Sequence, residues 1–161
     1  SEGTSVTGID LSPGCLQLAA QIAHATGEDV RTAYIQADGA AIPINDAAFD
    51  FVTSTMLLHE IPTEAFRAMT REAFRVLEPG GRVAHLDFLP PDDNFLHALY
   101  LGHSHRNAEP HMRDLASLDL AAELRSVGFE NVTITPFGQS PTGDAETWRL
   151  PWVIIAARKP V

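Results

Sequence analysis

The stretch Val6-Thr7-Gly8-Ile9-Asp10-Leu11-Ser12 decides how the chain is read. Val6 to Asp10 carries β-branched and apolar residues at strand spacing and ends in a carboxylate. A helix start follows at once. Ser12 can cap the exposed backbone N–H groups, and Pro13 suits the first helical position because the N–H it lacks would be unpaired there. Leu16, Ala19, Ala20 and Ala23 share one face, and Gly27 is the expected stop.

Downstream, the same alternation repeats. Residues 30–36 read as a second strand that runs into Ala37-Asp38-Gly39, and Phe49–Thr55 as a third. Met56-Leu57-Leu58-His59-Glu60-Ile61-Pro62 leaves the C-terminal end of the third strand. Thr63 is the expected cap of a helix whose inner face is Phe66, Met69, Ala73 and Leu77, with Pro79-Gly80-Gly81 ending it. Residues 82–88 form a fourth strand. Short apolar strands alternating with helices mean an α/β fold with a mostly parallel sheet covered on both faces.

Pro90-Pro91-Asp92-Asp93 breaks this rhythm. A helix over 94–104, with Phe95, Leu96 and Leu99 on one side, and a polar loop with His105 and His111 are expected next. Ser117 then starts a last helix, with Leu120, Ala121, Leu124 and Val127 inward and Gly128 as its stop. Strands at 131–135 and 152–157 close the chain as an antiparallel hairpin, and their connection, 137–149, exceeds the usual hairpin loop of about 2–5 residues.

A length of 161 residues suits a single domain, 1–161. The net charge of −10, from 21 acidic against 11 basic residues, argues against a nucleic-acid backbone as partner. Cys15 is the one cysteine, which excludes an intrachain disulfide and is compatible with a reducing compartment. No apolar run is long enough to span a bilayer. The expectation is a cytoplasmic protein without membrane or nucleic-acid partners.

The ordered set Val6–Ser12, Gln36-Ala37-Asp38-Gly39, Phe49-Asp50-Phe51-Val52-Thr53-Ser54, Leu58-His59-Glu60-Ile61 and Glu72–Arg82, with its Leu77-Glu78-Pro79-Gly80-Gly81 turn, resembles the class I S-adenosylmethionine-dependent methyltransferases. The nearest likeness is to the small-molecule, quinone-biosynthesis group. The resemblance implies a Rossmann-like sheet with a C-terminal antiparallel hairpin and S-adenosylmethionine as cofactor. It departs from the family at its start, since the first strand and the Gly-rich turn that holds the cofactor's methionine end are absent. The expectation is therefore a truncated or processed form of a methyltransferase, binding cofactor weakly by itself and inclined to self-association as a homodimer, because a sheet without its middle strand has two open edges.

From the resemblance, Asp10 would accept the ribose hydroxyls, Leu11 would flank the adenine, and Asp38 with Gly39 and Ala40 would hold the adenine edge. Ser54 and Met56 would line the sulfur side. Each has a structural reading beside this one: Asp10 as cap of the next helix, Asp38 as a turn aspartate, Leu11 and Met56 as packing. Methyl transfer needs an in-line acceptor, and a base where that acceptor loses a proton. His59 is the best candidate base and Asp87 the second, although a histidine at this position in the family is often structural. Residues 90–112 would form a lid over the acceptor pocket. His97, His103, His105 and His111 lack the spacing of a ligand set, so no metal is expected. The alternative to a small-molecule methyltransferase is a non-catalytic methyltransferase-like module used for partner binding or dimerisation.

Overall fold

Strand pairing in the computed structural model, which describes residues 3–90, 93–137 and 152–161, runs in two separate sheets. They fall in two units, Ser1–Pro43 and Ile44–Val161.

The N-terminal unit holds β1 (Val6–Asp10), α1 (Pro13–Thr26) and β2 (Thr32–Gln36). β1 and β2 pair in parallel, with Val6 opposite Thr32 and Asp10 opposite Gln36. Ser12 is the helix cap, its Oγ accepting from the Cys15 N–H at 3.3 Å, and Gly27 closes α1 in the left-handed region. The second strand starts at Thr32 and not at 30, because Asp29–Arg31 forms a 3-10 turn in which Arg31 pairs with Glu28. Val6 is 55% exposed rather than buried, because β1 has a strand neighbour on one side only among the described residues. In α1, Ala23 is buried, Leu16 and Ala19 are half-buried and Ala20 is exposed.

The C-terminal unit is a four-stranded sheet ordered β3-β4-β6-β5. Its strands are β3 (Phe49–Thr55), β4 (Leu77–Phe88), β5 (Glu130–Pro136) and β6 (Trp152–Arg158). β3 and β4 run parallel, whereas β6 is antiparallel to both β4 and β5. The expected C-terminal hairpin is thus present, with β6 wedged between β4 and β5. Its 138–149 connection lies outside the described residues.

Helix α2 (Thr63–Val76) starts after Pro62, whose extended backbone occupies the cap position without a side-chain bond, so Thr63 is the first helical residue and not the cap. Its buried face is Phe66, Thr70, Ala73 and Val76, while Met69 is only half-buried. The helix ends at Val76, ahead of the proline. Leu77 is already extended and pairs with Phe49, and the next paired residue of β3, Phe51, faces Arg82. Glu78-Pro79-Gly80-Gly81 is therefore a bulge within β4. Gly81 is required there, since a Cβ would sit 2.9 Å from the Glu78 carbonyl oxygen and 3.0 Å from the Leu77 side chain. Lys159, the one lysine in the chain, closes the α2 C-terminus: its Nζ donates to the carbonyls of Phe74 (2.8 Å) and Leu77 (2.7 Å).

Three helices follow: α3 (Asn94–Asn107), α4 (Met112–Ser117) and α5 (Leu120–Val127). α3 runs past the expected end and takes in His105; among its described side chains Tyr100 and Ser104 are buried and Phe95 is exposed, and the Leu96 side chain lies outside them. Ser117 ends α4 instead of opening the last helix. Asp119 caps α5, accepting from Ala122 N–H at 2.9 Å. Leu58, Phe66, Ala73, Leu77, Val83 and Leu124 are among the residues of the main core. Phe88, Tyr100 and Met112 form a second cluster that ties α3 and α4 to the end of β4.

Candidate functional site

In the N-terminal unit, two carboxylates stand at the same end of two parallel strands. Asp10 is the last residue of β1, and Asp38 lies two residues beyond the end of β2. Each uses one oxygen to fix its own turn: Asp10 Oδ1 accepts from Ser12 N–H at 2.7 Å, and Asp38 Oδ1 from Ala40 N–H at 2.8 Å. Both side chains are exposed, and no described residue donates to the second oxygen of either. Asp38 thus takes the turn role read from sequence, whereas Asp10 fixes the Ser12 turn and leaves the cap of α1 to Ser12; in each the other oxygen remains open to a ligand. Leu11 is 68% exposed, and Gln36 Nε2 donates to its carbonyl at 3.1 Å. An apolar side chain held open beside a strand-end carboxylate suits the planar base and hydroxylated sugar of a nucleoside. Gly39 and Ala40 are half-buried in the Asp38 turn.

In the C-terminal unit, the period-2 geometry of β4 puts Gly81, Val83, His85 and Asp87 on one buried face. The apolar pattern of the strand rests on Val83, Ala84 and Leu86 and leaves out His85, which is 8% exposed. His85 Nδ1 is 2.7 Å from Ser54 Oγ on β3, its in-register neighbour. Burial pushes the His85 pKa down to about 4, so near neutral pH it is uncharged and shares a neutral hydrogen bond with the Ser54 hydroxyl.

Met56 leaves β3 at φ 54°, a left-handed conformation that a methionine rarely adopts, and its N–H is held by the Leu86 carbonyl at 2.9 Å. The chain then turns through Leu58–Glu60, and this turn is built around Asp87. Asp87 Oδ2 accepts from the N–H groups of Leu57 (3.1 Å) and Leu58 (2.7 Å), and Oδ1 from Phe88 N–H (2.8 Å) and His59 Nδ1 (2.5 Å). His59 is 1% exposed and Asp87 0%. Desolvation works against the charged imidazole, but the Asp87 hydrogen bond and charge, helped by Glu60 and Glu109, outweigh it and hold the His59 pKa above its ordinary value. With Nδ1 engaged, Nε2 is the nitrogen left for chemistry. It lies 3.5 Å from Glu60 Oε1, and His59, Glu60 and Glu109 bring one ligand-type atom each within 4.8 Å of one another.

No motif or spacing singles out Glu109. Its position depends on Ser104, which accepts from Glu109 N–H at 3.0 Å and donates to its carbonyl at 2.7 Å. The four histidines of the 97–111 segment do not gather. His103 Nε2 meets Asn107 (2.6 Å) and Glu109 (3.4 Å), His111 pairs with Asp114 (3.2 Å), and His105 is exposed. Of the 90–112 segment, Pro91 and Asp92 lie outside the described residues; Tyr100 and Met112 are fully buried against Phe88.

A parallel β-α-β unit with open carboxylates at its strand ends, in a chain whose other unit is also an α/β sheet, fits a nucleoside-cofactor class of fold. Comparison with known proteins narrows the class. The family of methyltransferase domains matches residues 1–81, half of the chain. The chain belongs to the class I S-adenosylmethionine-dependent methyltransferase family. The demethylmenaquinone methyltransferase of Thermus thermophilus is 38% identical over 89 residues, which are 55% of this chain and 39% of that protein. The 27-O-demethylrifamycin SV methyltransferase of Amycolatopsis mediterranei is 39% identical over 84 residues, 52% of this chain and 30% of that protein. The chain thus spans well under half the length of these two relatives. A SAM-dependent methyltransferase structure from Methanosarcina mazei shares the fold, with a TM-score of 0.71 over 99% of this chain and 84% of that one at 20% identity. Among the described residues, no helix is long and apolar enough to cross a membrane.

Proposed function

We propose that the protein carrying this chain transfers the methyl group of S-adenosylmethionine to a small-molecule acceptor. The observation that carries this reading is the pair of strand-end aspartates, Asp10 and Asp38, each with one oxygen committed to its turn and one open. Asp10 would accept the ribose hydroxyls, Asp38 would accept the adenine amino group, and Leu11, Gly39 and Ala40 would bound the base. Ser54 and Met56 would border the methyl-donating end. The cofactor supplies an electrophilic methyl on sulfur; the protein's part is to bind, to align and to receive a proton.

His59 is the residue proposed for the last of these. Asp87 fixes its ring through Nδ1, which keeps Nε2 as the proton acceptor, so Asp87 acts by positioning His59. An acceptor with a proton to lose, a hydroxyl or an activated carbon, fits such a base. The relatives are named for methyl transfer to demethylmenaquinone and to 27-O-demethylrifamycin SV, both small molecules. The α3–α4 segment is proposed to cover the acceptor.

Titration calorimetry with S-adenosylmethionine and its demethylated product tests the reading. Saturable heat that Asp10→Ala diminishes supports it. A folded protein that gives none would instead be a non-catalytic module.

A further inference from the structure

We infer that His59, Glu60 and Glu109 form a binding site for a first-row divalent cation. The juxtaposition is tertiary. His59 and Glu60 come from the turn after β3, whereas Glu109 arrives from the segment between α3 and α4. Their ligand-type atoms lie within 4.8 Å of one another, and His59 Nε2 and Glu60 Oε1 are 3.5 Å apart. Donors bound about 2.0–2.2 Å from one cation stand about 3–4 Å from each other; the His59–Glu60 pair is already at that spacing, and the Glu60 side chain is half exposed and free to adjust.

Three further observations point to a cation here. First, Asp87 holds His59 Nδ1 at 2.5 Å and is itself fixed by three backbone N–H groups, the carboxylate–histidine arrangement that orients a metal-binding imidazole. Second, Glu109 Oε2 is shut off from solvent and makes no hydrogen bond, so this desolvated carboxylate oxygen rests on one long ion-pair contact, to His103 Nε2 at 3.4 Å. Third, every ion pair of this cluster among the described residues is to a histidine: His59 with Glu60 and with Asp87, and His103 with Glu109 at 3.4 Å. Among the described residues, no lysine or arginine pairs with this cluster. A dication matched by two carboxylates and one imidazole supplies the positive charge, with coordination positions left over for water or an acceptor oxygen. One nitrogen with two oxygens suits Mn2+, Fe2+ or Zn2+ better than the all-oxygen sets of Ca2+ and Mg2+.

The lone pair of His59 Nε2 that would take the acceptor's proton is the same one a cation takes, so the two are alternatives at this nitrogen. The binding itself rests on these side chains and not on the methyl-transfer reading, and its test uses neither cofactor nor acceptor.

The test is calorimetric titration of the protein with MnCl2 and with ZnSO4, together with Mn2+ electron spin-echo spectroscopy. One equivalent per chain is expected, with a 14N modulation from a single imidazole. Glu60→Gln, at a half-exposed position that leaves the core intact, and Glu109→Gln should each weaken binding on the order of tenfold or more. His24→Ala, in the N-terminal unit, should leave it unchanged. Absence of saturable binding overturns the assignment. So does binding that both glutamine variants retain at full strength while circular dichroism shows them folded, or a bound Mn2+ without nitrogen modulation.

Discussion

Asp87 Oδ1 accepts the His59 Nδ1 proton at 2.5 Å, and both side chains are sealed from solvent. With its two oxygens Asp87 also gathers the backbone N–H groups of Leu57, Leu58 and Phe88. One carboxylate thereby sets the shape of the turn that carries His59. Asp87→Ala leaves those donors and a buried imidazole without a partner. A loss of about 3–5 kcal/mol is expected, measured as a fall in the urea midpoint. Asp87→Asn, which retains acceptor capacity on one oxygen, should lose less.

Asp10→Ala should weaken S-adenosylmethionine binding by about 1–3 kcal/mol, the cost of losing hydrogen bonds to a charged group. Calorimetry on the protein carrying this chain measures it. Equal affinity in the variant would remove Asp10 from the site. Ser12 still caps α1 through its own Oγ, so the helix start should survive the substitution.

The two buried histidines respond to pH with opposite signs. The His85 pKa is lowered to about 4 by burial, against 6.5 in the unfolded chain. Between those values the unfolded state binds the extra proton, so stability falls as pH drops from about 6.5 to about 4, by roughly 3 kcal/mol in all. His59 is raised, so its contribution is fully present below about 6.5 and is lost as pH rises through its folded pKa. Urea midpoints of the native protein and His85→Gln across pH 4–8 separate the two. The variant should lose the acid-side slope and keep the alkaline one.

Lys159→Met strips two carbonyls at the C-terminus of α2 of their charged donor and removes a cation lying 4.8 Å from the Phe74 ring centroid. A loss of about 2 kcal/mol is expected, read as a lowered melting temperature. Lys159→Arg should recover only part of it, because a planar fork does not reach two carbonyls as a single ammonium does.

Gly81→Ala places a Cβ at 2.9 Å from the Glu78 carbonyl oxygen and 3.2 Å from that of Asp50. Backbone cannot yield as a side chain can, so the β3–β4 bulge must shift. About 1–3 kcal/mol of destabilisation is expected from chemical denaturation. An unaltered midpoint would mean that the bulge is not a close-packed crossing.

Local chemistry made much of this protein legible from its sequence. The β-α-β start, the Ser12 cap, the Gly27 stop and the carboxylates Asp10 and Asp38 each depend on residues within a few positions, and turn and capping preferences act at that range. Element ends were less legible where partners were distant. Helix α2 stops at Val76 because Leu77 pairs with Phe49 and is held by Lys159, and neither is visible from the Pro79-Gly80-Gly81 punctuation. The chemistry of the C-terminal unit was decided by tertiary structure. Only the pairing of β4 between β3 and β6 buries His85 and Asp87, and only the packing of Tyr100 and Met112 on Phe88 brings Glu109 to His59, a residue 50 positions earlier. A histidine's exposure, partner and charge are properties of its surroundings, and here those surroundings come from segments far apart in the chain.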